Sequence, residues 1–143
     1  MTWLEGIDAA AGAPTAAGAL ALRPELAELV AAYDAELRCV EPVLLELCRL
    51  RIAQLLGDST QVAALTGSKM AALAAYPTSP LFSEHERTCL NYAEQYVIDV
   101  HSLTDADADA VKQGMTDAEF VGFTVALGMF EGFARFRLIL GVS

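Results

Sequence analysis

Positive charge is scarce in this chain. Nine Lys and Arg face nineteen Asp and Glu, a formal net charge of −10. Nucleic-acid binding needs clustered cations to displace counterions from phosphates, and these nine are scattered, so no nucleic-acid partner is expected. A membrane partner is disfavoured for the same reason. Long apolar runs are missing too. The longest, near Phe120 to Phe130, falls short of the roughly 20 residues that span a bilayer, and Glu131, Arg135 and Arg137 follow it. Met1 to Asp8 holds no basic residue, and no compact apolar stretch comes after it. That is not the pattern of a secretory signal, and a cytoplasmic protein is expected.

Cysteine is represented only by Cys39, Cys48 and Cys89. An odd number with no close pair does not make a disulfide framework, so reduced, buried thiols are expected. His85, in the first turn of its helix and expected to be exposed, and His101 lack the spacing of a zinc site. Asp105, Asp107 and Asp109 begin like a calcium loop, but Ala110 stands where glycine is needed and Thr116 where glutamate is needed. Gly67-Ser-Lys69 lacks the upstream glycine of a phosphate-binding loop. Neither a metal nor any other cofactor is expected.

What the chain does have is helix punctuation. Residues 1–21, rich in Ala and Gly, read as a loose N-terminal arm that Trp3 could tack to the body or to a neighbouring subunit, and residues 22–143 read as a single domain. Pro24 fits a first helical position, with Leu26, Leu29, Val30 and Tyr33 at helical spacing behind it. Pro42 restarts the pattern, and Gly57 ends it in the position just past a helix. Asp58 and Gln61 have capping-box spacing and predict a helix running to about Ala75. Ser83 with Glu86, Thr104 with Asp107, and Thr116 with Glu119 open three more helices. They end near Ser102, Gly114 and Gly141. Six or so helices with short connections and no sheet predict an all-α bundle.

Two helices carry most of the information. The one over 43–56 is apolar almost all round, which marks a central helix. At 100° per residue Glu46 and Arg49 share one side, while Arg51 and Gln54 fall on another. Buried charges need partners, and Glu46 can pair with Arg49 three residues on. Cys48 lies on the apolar side, where a thiol is inert. On the last helix Thr124, Gly128, Glu131 and Arg135 form a narrow stripe among Phe120, Phe123, Phe130, Phe133 and Phe136. Glu131 precedes Arg135 by four, the favoured ion-pair order. That much aromatic surface suggests burial against a second subunit, and a homo-oligomer is expected.

The segment Glu46-Leu-Cys-Arg-Leu-Arg-Ile-Ala-Gln-Leu-Leu-Gly57 resembles E-L-x-R-L-R-x-(A/S)-Q-x-x-G of the carboxymuconolactone decarboxylase / alkyl hydroperoxidase D-like (AhpD-like) family. Leu81-Phe-Ser-Glu-His-Glu-Arg87 resembles its F-(S/T)-x-x-E-R helix start. Thr116-Asp-Ala-Glu-Phe-Val121 resembles the entry to its last helix. Ala134-Arg-Phe-Arg137 with Leu140-Gly-Val142 resembles its ending. The order of these pieces, more than any one of them, carries the resemblance, over roughly residues 26–143.

The resemblance implies an AhpD-like helical fold, but the family's next motif, C-x-x-C-x-x-x-H, is absent. Its cysteines would fall on Asp58 and Gln61 and its histidine on Leu65. Thiol peroxidase chemistry needs a thiolate of depressed pKa and a resolving thiol, and Asp58 and Gln61 are neither. Glu46 matches the family's proton-relay glutamate. The resemblance therefore implies Glu46 and Asp58 as candidate catalytic carboxylates and Arg49, Arg51, Gln61 and Arg135 as candidate substrate-binding groups. Three uses follow: a pocket that binds or transforms a small molecule without thiols, a decarboxylase or isomerase of small anions, or a structural or interaction protein on the same scaffold.

Overall fold

The computed structural model describes residues 3–5, 7, 14–38, 40–63 and 65–143. Among these there are eight α-helices and no strand: α1 Ala16–Ala21, α2 Pro24–Glu36, α3 Pro42–Leu56, α4 Ser59–Val62, α5 Gly67–Ala71, α6 Glu84–Ile98, α7 Asp105–Lys112 and α8 Asp117–Leu140. Short 3₁₀ turns at Leu73–Ala75 and Val100–Ser102 follow α5 and α6. The all-α expectation holds.

The capping boxes predicted at Ser83 and Thr116 form, and Thr104, expected only to open its helix, forms one as well, each with the side chain accepting from the third helical N–H and the acid returning the bond. Glu41 opens α3 by accepting from the N–H groups of Val43 and Leu44. Gly57 and Gly141 end α3 and α8 at φ 75° and 64°, a left-handed conformation that favours glycine.

The single helix predicted from Asp58 to Ala75 is broken into α4, α5 and a 3₁₀ turn. Thr66 is extended and Gly67 has φ 80°, so the chain turns out of the helical path there. The predicted loose arm is also corrected at its end. Ala16–Ala21 is helical, capped by Thr15, and the N–H of Ala16 donates to the Ser143 carbonyl while that of Ser143 donates to Pro14. Trp3 is 74% exposed, so it does not tack the arm to the body; the other expectation, contact with a neighbouring subunit, concerns a chain beyond this one.

α3 is the central helix and packs chiefly against α8 and α6. Leu47, Cys48 and Ile52 meet Leu90 and Ala93 of α6 and Phe123, Ala126 and Leu127 of α8 in a closed core. Each aliphatic side chain so buried contributes about 1.5–3 kcal/mol. α2 is different. None of its residues is fully buried, and Leu26, Leu29 and Tyr33 stay exposed. It lies over α3 and α8 without filling the space beneath it, and that space holds the clefts described below. Among the described residues no helix is long and apolar enough to cross a membrane.

Candidate functional site

Glu46 and Arg49 project from the α2 side of α3. Arg49 grips Glu46 through two bonds, Nε to Oε2 at 2.9 Å and Nη2 to Oε1 at 2.6 Å, and its Nη1 donates to the side-chain oxygen of Gln61. The guanidinium bond holds the Glu46 carboxyl below the usual range, outweighing partial burial, and Glu46 in turn holds Arg49 firmly charged. Glu46 remains about half exposed (46%) and Arg49 is 25% exposed. Both line a cleft of about 130 Å³ with Asp34, Leu37, Arg38, Leu45 and Phe130. Asp34 is itself bound by Arg38 at 2.8 Å.

Asp58 is placed by the Gly57 turn, which sends the chain inward and lets the Asp58 N–H donate to the Ala53 carbonyl at 2.9 Å. The carboxylate is 2% exposed, the one fully buried charge among the described residues. It sits at the helix-cap position of α4 but makes no capping bond, so the expected capping box with Gln61 does not form. One oxygen instead accepts from Arg137 Nε at 2.7 Å and the other from the Thr60 hydroxyl at 2.8 Å. Burial pushes the Asp58 pKa up, but Arg137 and Thr60, helped by the nearby Gln61 N–H, overcome it and hold the carboxyl below its ordinary value. Arg137 is positioned by the Gly141 turn, where Val142 N–H reaches back to the Arg137 carbonyl at 3.0 Å.

Arg137 joins the two halves. It lines a second cleft, of about 140 Å³, with Arg49, Asp34, Met129, Phe130 and Phe133. Glu46, Arg49 and Gln61 thus come together as a bonded set, and Asp58 stands behind the same wall through Arg137. Arg51 does not join them. It turns to α6, where it donates to Glu94 at 2.9 Å, reaches Gln54 at 3.1 Å and lies over the Tyr76 ring. Burial, with Glu94 alongside, pushes the Tyr76 pKa to about 12. Arg135 is also away from the clefts, 54% exposed and paired with Glu131 at 2.9 Å. The Glu131–Arg135 pairing agrees with the spacing, but Arg135 has no place in the cleft wall.

The described thiols are sealed. Cys48 and Cys89 are fully buried, and burial pushes the first well above the ordinary thiol range and the second to about 12. Cys39 lies outside the described residues. His85, which reads as exposed from sequence, is half-buried, bonded to the Val111 carbonyl at 3.1 Å and pressed against Gly114. Among the described residues no three His, Cys, Asp or Glu converge as a metal site requires.

Sequence reasoning did not single out Arg137 as a site residue, nor Asp34. The usable signal for Arg137 was a basic residue in the last turn before a helix-ending glycine. Its partner is 79 positions away, which no local spacing reveals.

No family model matches the chain, and no curated protein matches it. Solved structures do. A protein of unknown function from Agrobacterium tumefaciens, provisionally named antioxidant defence protein AhpD, superposes with TM-score 0.73 at 19% identity, over 87% of this chain and 94% of that one. An uncharacterised peroxidase-related protein from Silicibacter superposes with TM-score 0.70 at 17% identity, over 89% of this chain and 74% of that one. The chain therefore has the AhpD-like all-α fold.

Proposed function

We propose that this chain is a carboxymuconolactone decarboxylase-like, AhpD-like family protein without redox cysteines, which binds or acts on a small molecule by non-thiol chemistry in the cleft beneath α2. One observation carries this reading. The bonded Glu46–Arg49 pair opens on a cleft with an apolar wall, while Cys48 and Cys89 open on nothing. Small-molecule sites combine such an apolar lining with a few fixed polar groups. The alternative of a structural or interaction protein predicts a filled pocket, and the open cleft beside Glu46 supports the small-molecule reading over it. Decarboxylase or isomerase chemistry on an anion would use Glu46 for proton transfer, since Asp58 is buried and both its oxygens are engaged.

A ligand-observed NMR fragment screen tests the reading. Fragments are expected to bind the native protein and to be lost in Phe130→Trp, which fills the cleft. No binding, or hits indifferent to that change, would overturn it. Peroxide turnover with a dithiol reductant is expected to be negligible. A homo-oligomer is part of the proposal, supported by exposed Leu26, Leu29, Val121 and Ile139. Light scattering that gave a monomer mass at micromolar concentration would remove it.

A further inference from the structure

Asp58 uses one N–H of Arg137, the Nε proton. The guanidinium carries four more, on Nη1 and Nη2, and among the described residues no acceptor meets them. The side chain is only 13% exposed. No buried side-chain nitrogen or oxygen among the described residues lacks a partner, so these amino groups reach open space rather than dry core. Asp58 thus fixes the guanidinium by one corner and leaves its Nη1–Nη2 edge free. That edge offers two parallel N–H donors, the geometry that grips a carboxylate at both oxygens.

The surroundings restrict the charge and shape of what binds there. Each arginine near the clefts already has a carboxylate: Arg38 with Asp34, Arg49 with Glu46, Arg137 with Asp58. The wall is formally neutral, so it holds no surplus of positive charge for a dianion, while one carboxylate is matched by the donors of a single guanidinium edge. The arginine cleft shares Asp34, Met129 and Phe133 with a third cleft of about 320 Å³, whose wall is otherwise apolar and includes Leu20, Ala27 and Val30. A charged head is therefore accommodated beside Arg137 and an apolar body beneath α2.

We propose that the free edge of Arg137, held in place by Asp58, anchors the carboxylate of a small amphipathic monoacid whose apolar part runs along Met129 and Phe133 under α2. This rests on the reading of the cleft as a small-molecule site and names its ligand class. Arg137 is the binding group and Asp58 its positioning residue.

The test is isothermal titration of the full chain with octanoate, benzoate, octan-1-ol and inorganic phosphate. Octanoate or benzoate is expected to bind at least tenfold more tightly than octan-1-ol or phosphate, and whichever of the two acids is preferred tells an aliphatic from an aromatic body. Arg137→Lys keeps a cation for Asp58 but removes the fork, and is expected to weaken the acid at least tenfold. Phe133→Ala is expected to weaken octanoate while leaving its preference over octan-1-ol. Thermal melts of both variants establish that they are folded. Equal binding of octanoate and octan-1-ol, or of octanoate to native protein and Arg137→Lys, overturns the anchor while leaving the small-molecule reading intact. No binding of any of the four overturns both.

Discussion

The ion pair between Asp58 and Arg137 makes a sharp energetic prediction. Its partners are 2% and 13% exposed and meet at 2.7 Å. Removing one member of such a pair leaves a charge in a poorly solvated place, which costs about 3–5 kcal/mol. Replacing both members with apolar groups of similar size removes the desolvation penalty along with the attraction and is close to neutral. Asp58→Val strands Arg137, which borders the cleft beneath α2 and also one of about 270 Å³ beside Ser59 and Gly141 and so can take up water; the cost is expected near about 3 kcal/mol. Arg137→Met strands the more deeply buried Asp58 and is expected to cost more, with the carboxyl taking up a proton. The double variant is expected within about 1 kcal/mol of the native chain.

Urea unfolding at fixed protein concentration measures all three, with an unchanged slope showing that the unfolded surface is the same. The pH dependence has a definite sign. The folded Asp58 pKa lies below its ordinary value, so the pair's contribution is fully present above the unfolded pKa of about 3.9 and is lost as pH falls through the folded pKa. The gap between native protein and Asp58→Val is therefore expected to stay level from about pH 7 to about pH 5 and to close below about pH 4. A single variant costing under about 1 kcal/mol, a double no better than its singles, or a gap that widens in acid would each refute the reasoning.

Two further predictions concern glycines and thiols. Gly132 lies inside α8 with nothing within 4 Å of an added Cβ, so Gly132→Ala is expected to stabilise the fold by roughly 0.5–1 kcal/mol in thermal or urea unfolding. Gly114→Ala is expected to do the opposite, by about 1–3 kcal/mol, because its Cβ would fall 2.5 Å from His85 Nε2 and drive the ring off the Val111 carbonyl. Gain from the second or loss from the first would contradict the packing. Cys48 and Cys89 are expected to resist iodoacetamide in the native state and to alkylate only on unfolding, as site-resolved mass spectrometry would read; rapid native labelling of either would contradict their burial.

Local patterns in the sequence proved to be the legible ones. Capping boxes at Ser83 and Thr116 and glycine stops at 57 and 141 are bonds between near neighbours, so spacing alone exposes them. The Glu46–Arg49 and Glu131–Arg135 pairs are legible for the same reason. The failures are where a tertiary partner outbid a local one. Asp58 has the spacing of a cap, but a guanidinium offers a carboxylate more than a backbone N–H does, and Arg137 arrives from the far end of the chain. Arg51 reads as a cleft group until Glu94 of α6 claims it. His85 reads as exposed because nothing local announces that α7 will present a bare Gly114 to its ring.

The Asp58 result also changes how the missing thiols are understood. A relay thiol must be reachable and easily ionised. The residue standing in its place is ionised but sealed, with both oxygens spoken for. With both oxygens engaged, Asp58 is not placed to react itself, and its one link to the cleft wall among these bonds is the one to Arg137. Of the two carboxylates implied by the family resemblance, Glu46 alone is open to a ligand, and it is held by Arg49 through two bonds.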